Sequence, residues 1–201
     1  MTELKLYSNA QSRGRIAHWM LEETGTPYET VWIEYGEQMK SPEYLAINPM
    51  GKVPALVHGS MIVTECAAIC AYLADRFPTN NLAPAIDDPR RAIYLRWLFF
   101  AAGPLETAVT ARTLGWKVPE GQSRMAGFGS YADTINALET ALQDGPWLCG
   151  AQFTGADVYI ASQLGWGMML GTIEKRPTFA RYVERAYARP AHMTADRLNG
   201  D

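Results

Sequence analysis

An α/β first half built on a mixed four-stranded sheet, followed by an all-α second half, is the architecture predicted by the hydrophobic patterning of this 201-residue chain. Between residues 4 and 77, strand-like and helix-like stretches alternate in the order βαβ and then ββα, which calls for a mixed sheet covered by helices. After a Pro-, Asn- and Asp-rich break, apolar residues recur only at helical spacing and no convincing strand appears.

Each element has its own signal. "LKLYS" (4–8) reads as a short strand, and "SRGRIAHWMLEETG" (12–25) as a helix. Ile16, Trp19 and Met20 form its inner face, Glu22 and Glu23 point outward, and Gly25 is its stop. "YETVWIE" (28–34) is rich in β-branched and aromatic residues and reads as the second strand. "SPEYLAI" (41–47) is a short helix or turn. "VPALVH" (53–58) and "MIVT" (61–64) are strands joined by a Gly59-Ser60 hairpin. "ECAAICAYLADRF" (65–77) is a helix that stops before Pro78. These signals set a first domain at 1–78, a linker at 79–88 and a helical domain at 89–201. Asp88 can cap, and Pro89 can open, the first helix of that second domain, which should bend at Gly103-Pro104. Three more helices follow: 124–145, weakened at its start by glycines; 153–171; and 176–190, bounded by Pro177 and Pro190. Thr154 and Asp157 have the spacing of a capping box, a structural feature rather than a catalytic one.

Composition narrows the functions. With 18 basic and 21 acidic side chains and a net charge of −3, the chain offers no electrostatic case for nucleic acid. Its densest basic patch, "DPRRAIYLR", reads as a solvated helix face. No apolar run approaches the roughly 20 residues of a membrane span, and "MTELKLYSNAQ" lacks the apolar core of a signal peptide. Three cysteines, at 66, 70 and 149, suggest reduced thiols and a cytoplasmic location. Cys66 and Cys70 stand one helical turn apart, not in a CxxC motif, and Cys70 reads as a buried small hydrophobe. Histidines 18, 58 and 192 have no zinc-ligand spacing, so no metal is expected, and His18 reads as a core or surface residue rather than a general base.

The stretch "NPMGKVPALVHGSMIVTECAAICAYLAD" (48–75) carries more chemistry. Pro54 cannot donate to a strand ladder and belongs at an edge or a break, and it forces Val53 into an extended conformation. If the bond between them is cis, the Val53 backbone faces sideways, where an extended peptide could pair with it. One hairpin later, Glu65-Cys66 stands at a helix N-terminus, where unpaired N–H groups and the helix dipole favour a carboxylate and Glu65 can pair with an ammonium. An α-amino acid end offers both charges. An ordinary dipole-favoured acidic residue explains Glu65 equally well.

Taken in order, "LYSNAQSRGRIAHWMLEE", "NPMGKVPAL", "ECAAICAYLAD" and "FTGADVYIA" resemble the cytosolic glutathione S-transferases, a bacterial type with a serine active site, over essentially the whole chain. The resemblance implies a thioredoxin-like first domain, a helical second domain and a homodimer. It implies that Val53 and cis-Pro54 bind the cysteinyl backbone of glutathione, that Glu65 and Cys66 bind its γ-glutamyl end, and that Lys40 and Lys52 reach its glycine carboxylate. Position 66 departs from the pattern: many members carry serine there, and a thiol is the weaker hydrogen-bond donor. Weaker binding is the expected consequence.

Glutathione reacts as a thiolate, so the site must stabilise S⁻ at neutral pH. The candidate donor is Ser12, between the first strand and the first helix; it can also be only the N-cap of that helix. Asn9, Ser8 and Tyr7 remain alternatives, with Tyr7 and Ser8 on opposite faces of the strand. Arg15 reads as an exposed helical arginine or as part of the thiolate's field. A pocket for a small hydrophobic electrophile is expected between the domains, with Tyr94, Trp97, Phe100, Arg112 and Trp166 as possible lining residues. The expected function is a glutathione transferase. A glutathione-dependent disulfide reductase or peroxidase using Cys66, or a non-catalytic binding or scaffold protein, are the alternatives.

Overall fold

A computed structural model describes residues 4–200. β1 (Leu4–Ser8), α1 (Gly14–Thr24), β2 (Glu29–Trp32), α2 (Pro42–Leu45), β3 (Ala55–His58), β4 (Met61–Thr64) and α3 (Cys66–Arg76) follow the predicted order. The four strands form one sheet in the order β2-β1-β3-β4. β1 runs parallel to β2 and antiparallel to β3, and β3 pairs antiparallel with β4. Alternation along β1 buries Leu4, Leu6 and Ser8 and leaves Lys5 and Tyr7 on the other face. α1 ends at Gly25, whose φ of 64° needs no Cβ penalty to be overcome.

From residue 90 onward the described elements are helical apart from two isolated β-bridges at 147–152. α4 (Arg90–Phe100) passes through one π-helical turn, Ala101–Leu105, into α5 (Glu106–Thr113). Pro104, where a bend is expected, lies inside that turn, whose wider ring takes in the position without an N–H while the helix continues into α5. α6 (Tyr131–Ala141), α7 (Gly155–Leu170), α8 (Pro177–Tyr187) and α9 (Pro190–Leu198) complete the chain. Among the described residues no helix is long and apolar enough to cross a membrane.

By its internal contacts the chain forms two compact units. One runs to Leu82 and takes in the chain from Ala188 onward; the other spans Ala83–Tyr187. The second unit contains the capping box at the head of α7. The Asp157 carboxylate is fully buried and accepts from the Thr154 N–H (2.9 Å) and hydroxyl (2.8 Å), the Leu148 N–H (2.9 Å) and the Tyr182 hydroxyl (2.8 Å). Burial raises its pKa above the ordinary carboxylate value even against those donors.

In the first unit, α9 lies along α1. Pro190, read from sequence as a boundary, occupies the first turn of this additional helix. Glu23, expected to point outward, is instead buried: it accepts from Trp19 Nε1 at 2.9 Å and forms a two-pronged ion pair with Arg189 at 2.6 and 2.7 Å. Burial of that carboxylate is made possible by a partner 166 residues away. Arg15 is tied to Asp196 at 3.0 Å. His18 is a core residue, fully buried, with Nδ1 3.1 Å from Asn199 Oδ1 and Nε2 3.1 Å from Thr30 Oγ1.

Two outcomes follow. Asp157→Ala orphans several buried donors at once and should lower the stability of the second unit by about 3 kcal/mol or more, read as a shift in the urea midpoint. Burial first, and Arg15 nearby, depress the His18 pKa from 6.5 to about 4 despite the Asn199 hydrogen bond. The neutral ring therefore contributes stability that is whole above pH 6.5 and is lost as pH falls toward 4, because the unfolded chain binds a proton that the folded one refuses. The loss approaches about 3 kcal/mol, and His18→Gln should flatten that part of the stability–pH curve in urea titrations.

Candidate active site

Strand register brings the predicted residues to one end of the sheet. Tyr7 pairs with Ala55 and Ala55 with Thr64, so the chain leaves β1 at Ser8, enters β3 from Pro54 and leaves β4 into Glu65 side by side. The Val53–Pro54 bond is cis. Val53 packs with Tyr7, Val31 and Ile47 around a small buried cluster of Ile33, Met39 and Tyr44. The Tyr44 hydroxyl donates to the Lys52 carbonyl at 2.6 Å, and Asn48 Nδ2 donates to the same oxygen at 2.8 Å. Burial, followed by the proximity of Tyr7, pushes the Tyr44 pKa up to about 12. The segment ahead of Pro54 is thus held from below by a phenol and an amide. Neither contact was read from sequence, although Asn48-Pro49 is a turn signal.

Lys40 and Lys52 behave differently. Lys40 Nζ donates to the carbonyls of Met50 (2.9 Å) and Gly51 (3.1 Å), so its ammonium fastens the 50–51 turn. Gly51 is required beneath it: φ is 56°, and a Cβ there would lie 2.7 Å from both Lys40 Nζ and the Met39 carbonyl. Lys52 is exposed.

Glu65 is exposed and stands immediately before α3 with φ 66° and ψ 124°, a left-handed conformation that disfavours a residue with a side chain. The first bond of the helix runs from the Ile69 N–H to the Glu65 carbonyl at 2.9 Å, so the first-turn N–H groups are directed past Glu65. Cys66 is buried, and its thiol donates to the Arg13 carbonyl at 3.6 Å, joining the mouth of α3 to the β1–α1 loop. Cys70 is fully buried and its thiol pKa is raised by that burial, as a small core hydrophobe requires.

The β1–α1 loop holds Ser12 tightly. Its hydroxyl donates to the Asn9 carbonyl at 2.6 Å and accepts from the Gly14 N–H at 2.9 Å. Asn9 Nδ2 donates to the Ile33 carbonyl and Oδ1 accepts from the Gln11 N–H, each at 2.9 Å. Ser8 is fully buried beneath the start of α1, facing Gly14: a Cβ on Gly14 would lie 2.0 Å from Ser8 Oγ. Tyr7, on the opposite face of β1, lies against Tyr44 with the rings tilted 42° and their centroids 5.9 Å apart. Beside the loop, within the first unit, an open cavity of about 450 Å³ is lined by Gln11, Trp32, Glu34 and Leu198 among others. Among the described residues no group of three or more His, Cys, Asp or Glu is gathered to hold a metal ion.

Comparison with known proteins gives consistent results. The family description "Glutathione S-transferase, N-terminal domain" matches residues 2–75, and "Glutathione S-transferase, C-terminal domain" matches residues 94–185. A glutathione S-transferase of Escherichia coli O157:H7, GstA, is 28% identical over 98% of this chain and 99% of its own. A maleylacetoacetate isomerase of Pseudomonas aeruginosa is 31% identical over 98% and 97%. The structure of a sphingomonad glutathione S-transferase complexed with glutathione superimposes with a TM-score of 0.79 at 28% identity, covering 98% of both chains.

Because left-handed backbone with a side chain costs about 1–3 kcal/mol while glycine loses about 0.5–1 kcal/mol of unfolded-state entropy, Glu65→Gly should leave stability unchanged or raise it by about 1 kcal/mol. Thermal unfolding of the variant beside the parent checks this.

Proposed function

The chain belongs to the glutathione S-transferase family, and from that premise we propose that it activates the thiolate of glutathione for attack on a small hydrophobic electrophile. The observation that carries the reading is Glu65, held at φ 66° at the mouth of α3 and tied through Cys66 to the loop that presents Ser12. Strain of that kind persists where the surrounding structure enforces it, and here it stands at a helix mouth whose first-turn N–H groups favour an anion.

In this reading the α-carboxylate of the γ-glutamyl end docks at the first turn of α3, and its ammonium pairs with Glu65. The cysteinyl backbone pairs with Val53 beside cis-Pro54, and the glycine carboxylate meets the exposed Lys52, with Lys40 holding the turn beneath. The sulfur then lies at the β1–α1 loop. Ser12 rotates its proton from the Asn9 carbonyl to the sulfur, while the thiol proton leaves to solvent. Lowering a thiol pKa by about two units takes roughly 2.7 kcal/mol, and one hydrogen bond to a charged acceptor supplies roughly 1.5–3 kcal/mol. The thiolate forms a C–S bond with the electrophilic carbon, and the leaving group departs with its electron pair. The reading carries with it a homodimer and a cytoplasmic location, both as proposals.

The Pseudomonas relative supports a second reading. A thiolate that adds to an activated double bond and is expelled after rotation about the resulting single bond performs an isomerisation with glutathione unchanged. Both readings share the thiolate and differ in the acceptor.

Conjugation of glutathione to a chlorinated nitroaromatic tests the proposal. Ser12→Ala should lower kcat/KM at neutral pH by about 100-fold, the equivalent of two pKa units, and glutathione at 100 times its Kd should stabilise the parent by about 2.7 kcal/mol. A parent that gains no stability from glutathione would sink the reading.

A further inference from the structure

We infer that Asn9 is the positioning residue for Ser12: its side chain fixes the carbonyl that holds the Ser12 hydroxyl, and through it sets the pKa of the bound thiol without touching the substrate. The inference rests on the proposed glutathione chemistry and names a further part of that site.

Four hydrogen bonds meet on this one residue. The Asn9 carbonyl receives the Ser12 hydroxyl at 2.6 Å and the Ser12 N–H at 3.1 Å. Its side-chain amide donates to the Ile33 carbonyl, and its side-chain oxygen accepts from the Gln11 N–H, each at 2.9 Å. The residue is 8% exposed, so these bonds are made largely out of competition with water.

The arrangement follows from where the sheet stops. The Ile33 N–H donates to the Ser8 carbonyl at 2.8 Å, one rung beyond the end of the parallel β1–β2 pairing. The chain then turns away toward α1, and the next acceptor, the Ile33 carbonyl, is taken by the Asn9 amide in place of backbone. The turn therefore begins from a point clamped to β2. An oxygen acceptor on the side chain closes it by receiving the N–H two residues on, a local bond that Asn and Asp form readily. Alanine can make neither bond.

The consequence for chemistry lies in the Ser12 oxygen. It is held from two sides, by the Gly14 N–H and by the hydrogen bond to Asn9, so its position is set before any ligand arrives. When an anionic sulfur approaches, the O–H turns from the Asn9 carbonyl to the sulfur, while the Gly14 N–H keeps its hold on the oxygen and the Ser12 N–H keeps its bond to the Asn9 carbonyl. A donor whose heavy atom is already in place costs little reorganisation, and that preorganisation is what makes a single hydrogen bond effective. If the clamp is released, the 9–12 turn samples other conformations and the hydroxyl is spread over positions that reach the sulfur poorly. The tripeptide itself is gripped elsewhere, at 53, 65 and 66, so its affinity should change little.

The test is a pH titration of bound glutathione by its thiolate ultraviolet absorbance, alongside its Kd, for the parent, Asn9→Ala, Ser12→Ala and the double variant. Asn9→Ala should raise the bound-thiol pKa in the same direction as Ser12→Ala, with Kd within about threefold of the parent. The double variant should be no worse than Ser12→Ala, because Asn9 acts only through Ser12. Asn9→Ser, which keeps an acceptor for the Gln11 N–H but cannot reach Ile33, should fall between parent and Asn9→Ala, and it serves if the alanine variant does not fold. A bound-thiol pKa unchanged in the Asn9 variants, or a double variant that exceeds Ser12→Ala, overturns the inference while the glutathione reading stands. A parent that neither binds glutathione nor lowers its thiol pKa overturns both.

Discussion

The register of three antiparallel strands is the constraint from which the candidate site hangs. β1, β3 and β4 are locked by Leu6 opposite Leu56 opposite Val63, and both leucines are completely buried. Burying a leucine contributes roughly 1.5–3 kcal/mol, and a slip of one residue would turn every side chain of β1 to the wrong face. Several such side chains act together, so the register outweighs the local strain of about 1–3 kcal/mol at Glu65. The left-handed residue is therefore a consequence. The hydrophobic faces decide where β4 ends, α3 packs through Ile69, Cys70 and Leu73, and the one residue between them takes the conformation that closes the gap.

Where strand pairing stops, side chains take over the backbone's hydrogen bonding. Asn9 caps the Ile33 carbonyl, Lys40 caps those of Met50 and Gly51, and Tyr44 with Asn48 caps that of Lys52. Buried or half-buried backbone carbonyls need such partners. The pattern gives each of the loops around the site a fastener made of a long or branched polar side chain. It also separates two kinds of polar residue that look alike in a sequence: those that hold the backbone and those left facing solvent. Lys40 belongs to the first kind and Lys52 to the second.

That separation marks the limit of what the sequence alone reveals. Gly25, Gly59-Ser60, the Pro54 break ahead of β3 and the Thr154–Asp157 box act through their own few residues, and each stands where local chemistry puts it. The alternation of Tyr7 and Ser8 across β1 was legible for the same reason. Glu23 was not, because its burial depends on Arg189 from the far end of the chain. α9 was missed because Pro190 signals a stop and a start equally well, and only its ties to α1 through Asp196 and Asn199 decide between them. At Pro104 the sequence signals an irregularity in the helix, and the structure gives it the form of one wide turn. Of the expected site residues, Ser12, Val53, Pro54, Glu65 and Cys66 were named from local signals and the family resemblance, and they stand at the end of the sheet where β1, β3 and β4 meet their loops. The clamps made by Asn9 and Tyr44 could not, since an asparagine or tyrosine carries no sign of which carbonyl it will meet.

Cysteine at position 66 illustrates how little a proposed anion site at a helix mouth depends on side-chain identity. The Cys66 thiol donates to the Arg13 carbonyl at 3.6 Å and is 6% exposed, so it is spent on joining α3 to the β1–α1 loop. A thiol is a weak donor, and the joint is held chiefly by the packing around it. The groups that would grip a carboxylate there are the first-turn N–H groups and the dipole of an 11-residue helix, worth the same behind cysteine as behind serine. What the exchange removes is one hydroxyl, roughly 1 kcal/mol of net hydrogen bonding and so a few-fold in affinity. In the proposed reading the direction from which a ligand approaches follows instead from the φ of the residue before it. A change at Glu65 would thus alter where a ligand's charged end can dock, whereas a change at Cys66 would alter only how tightly.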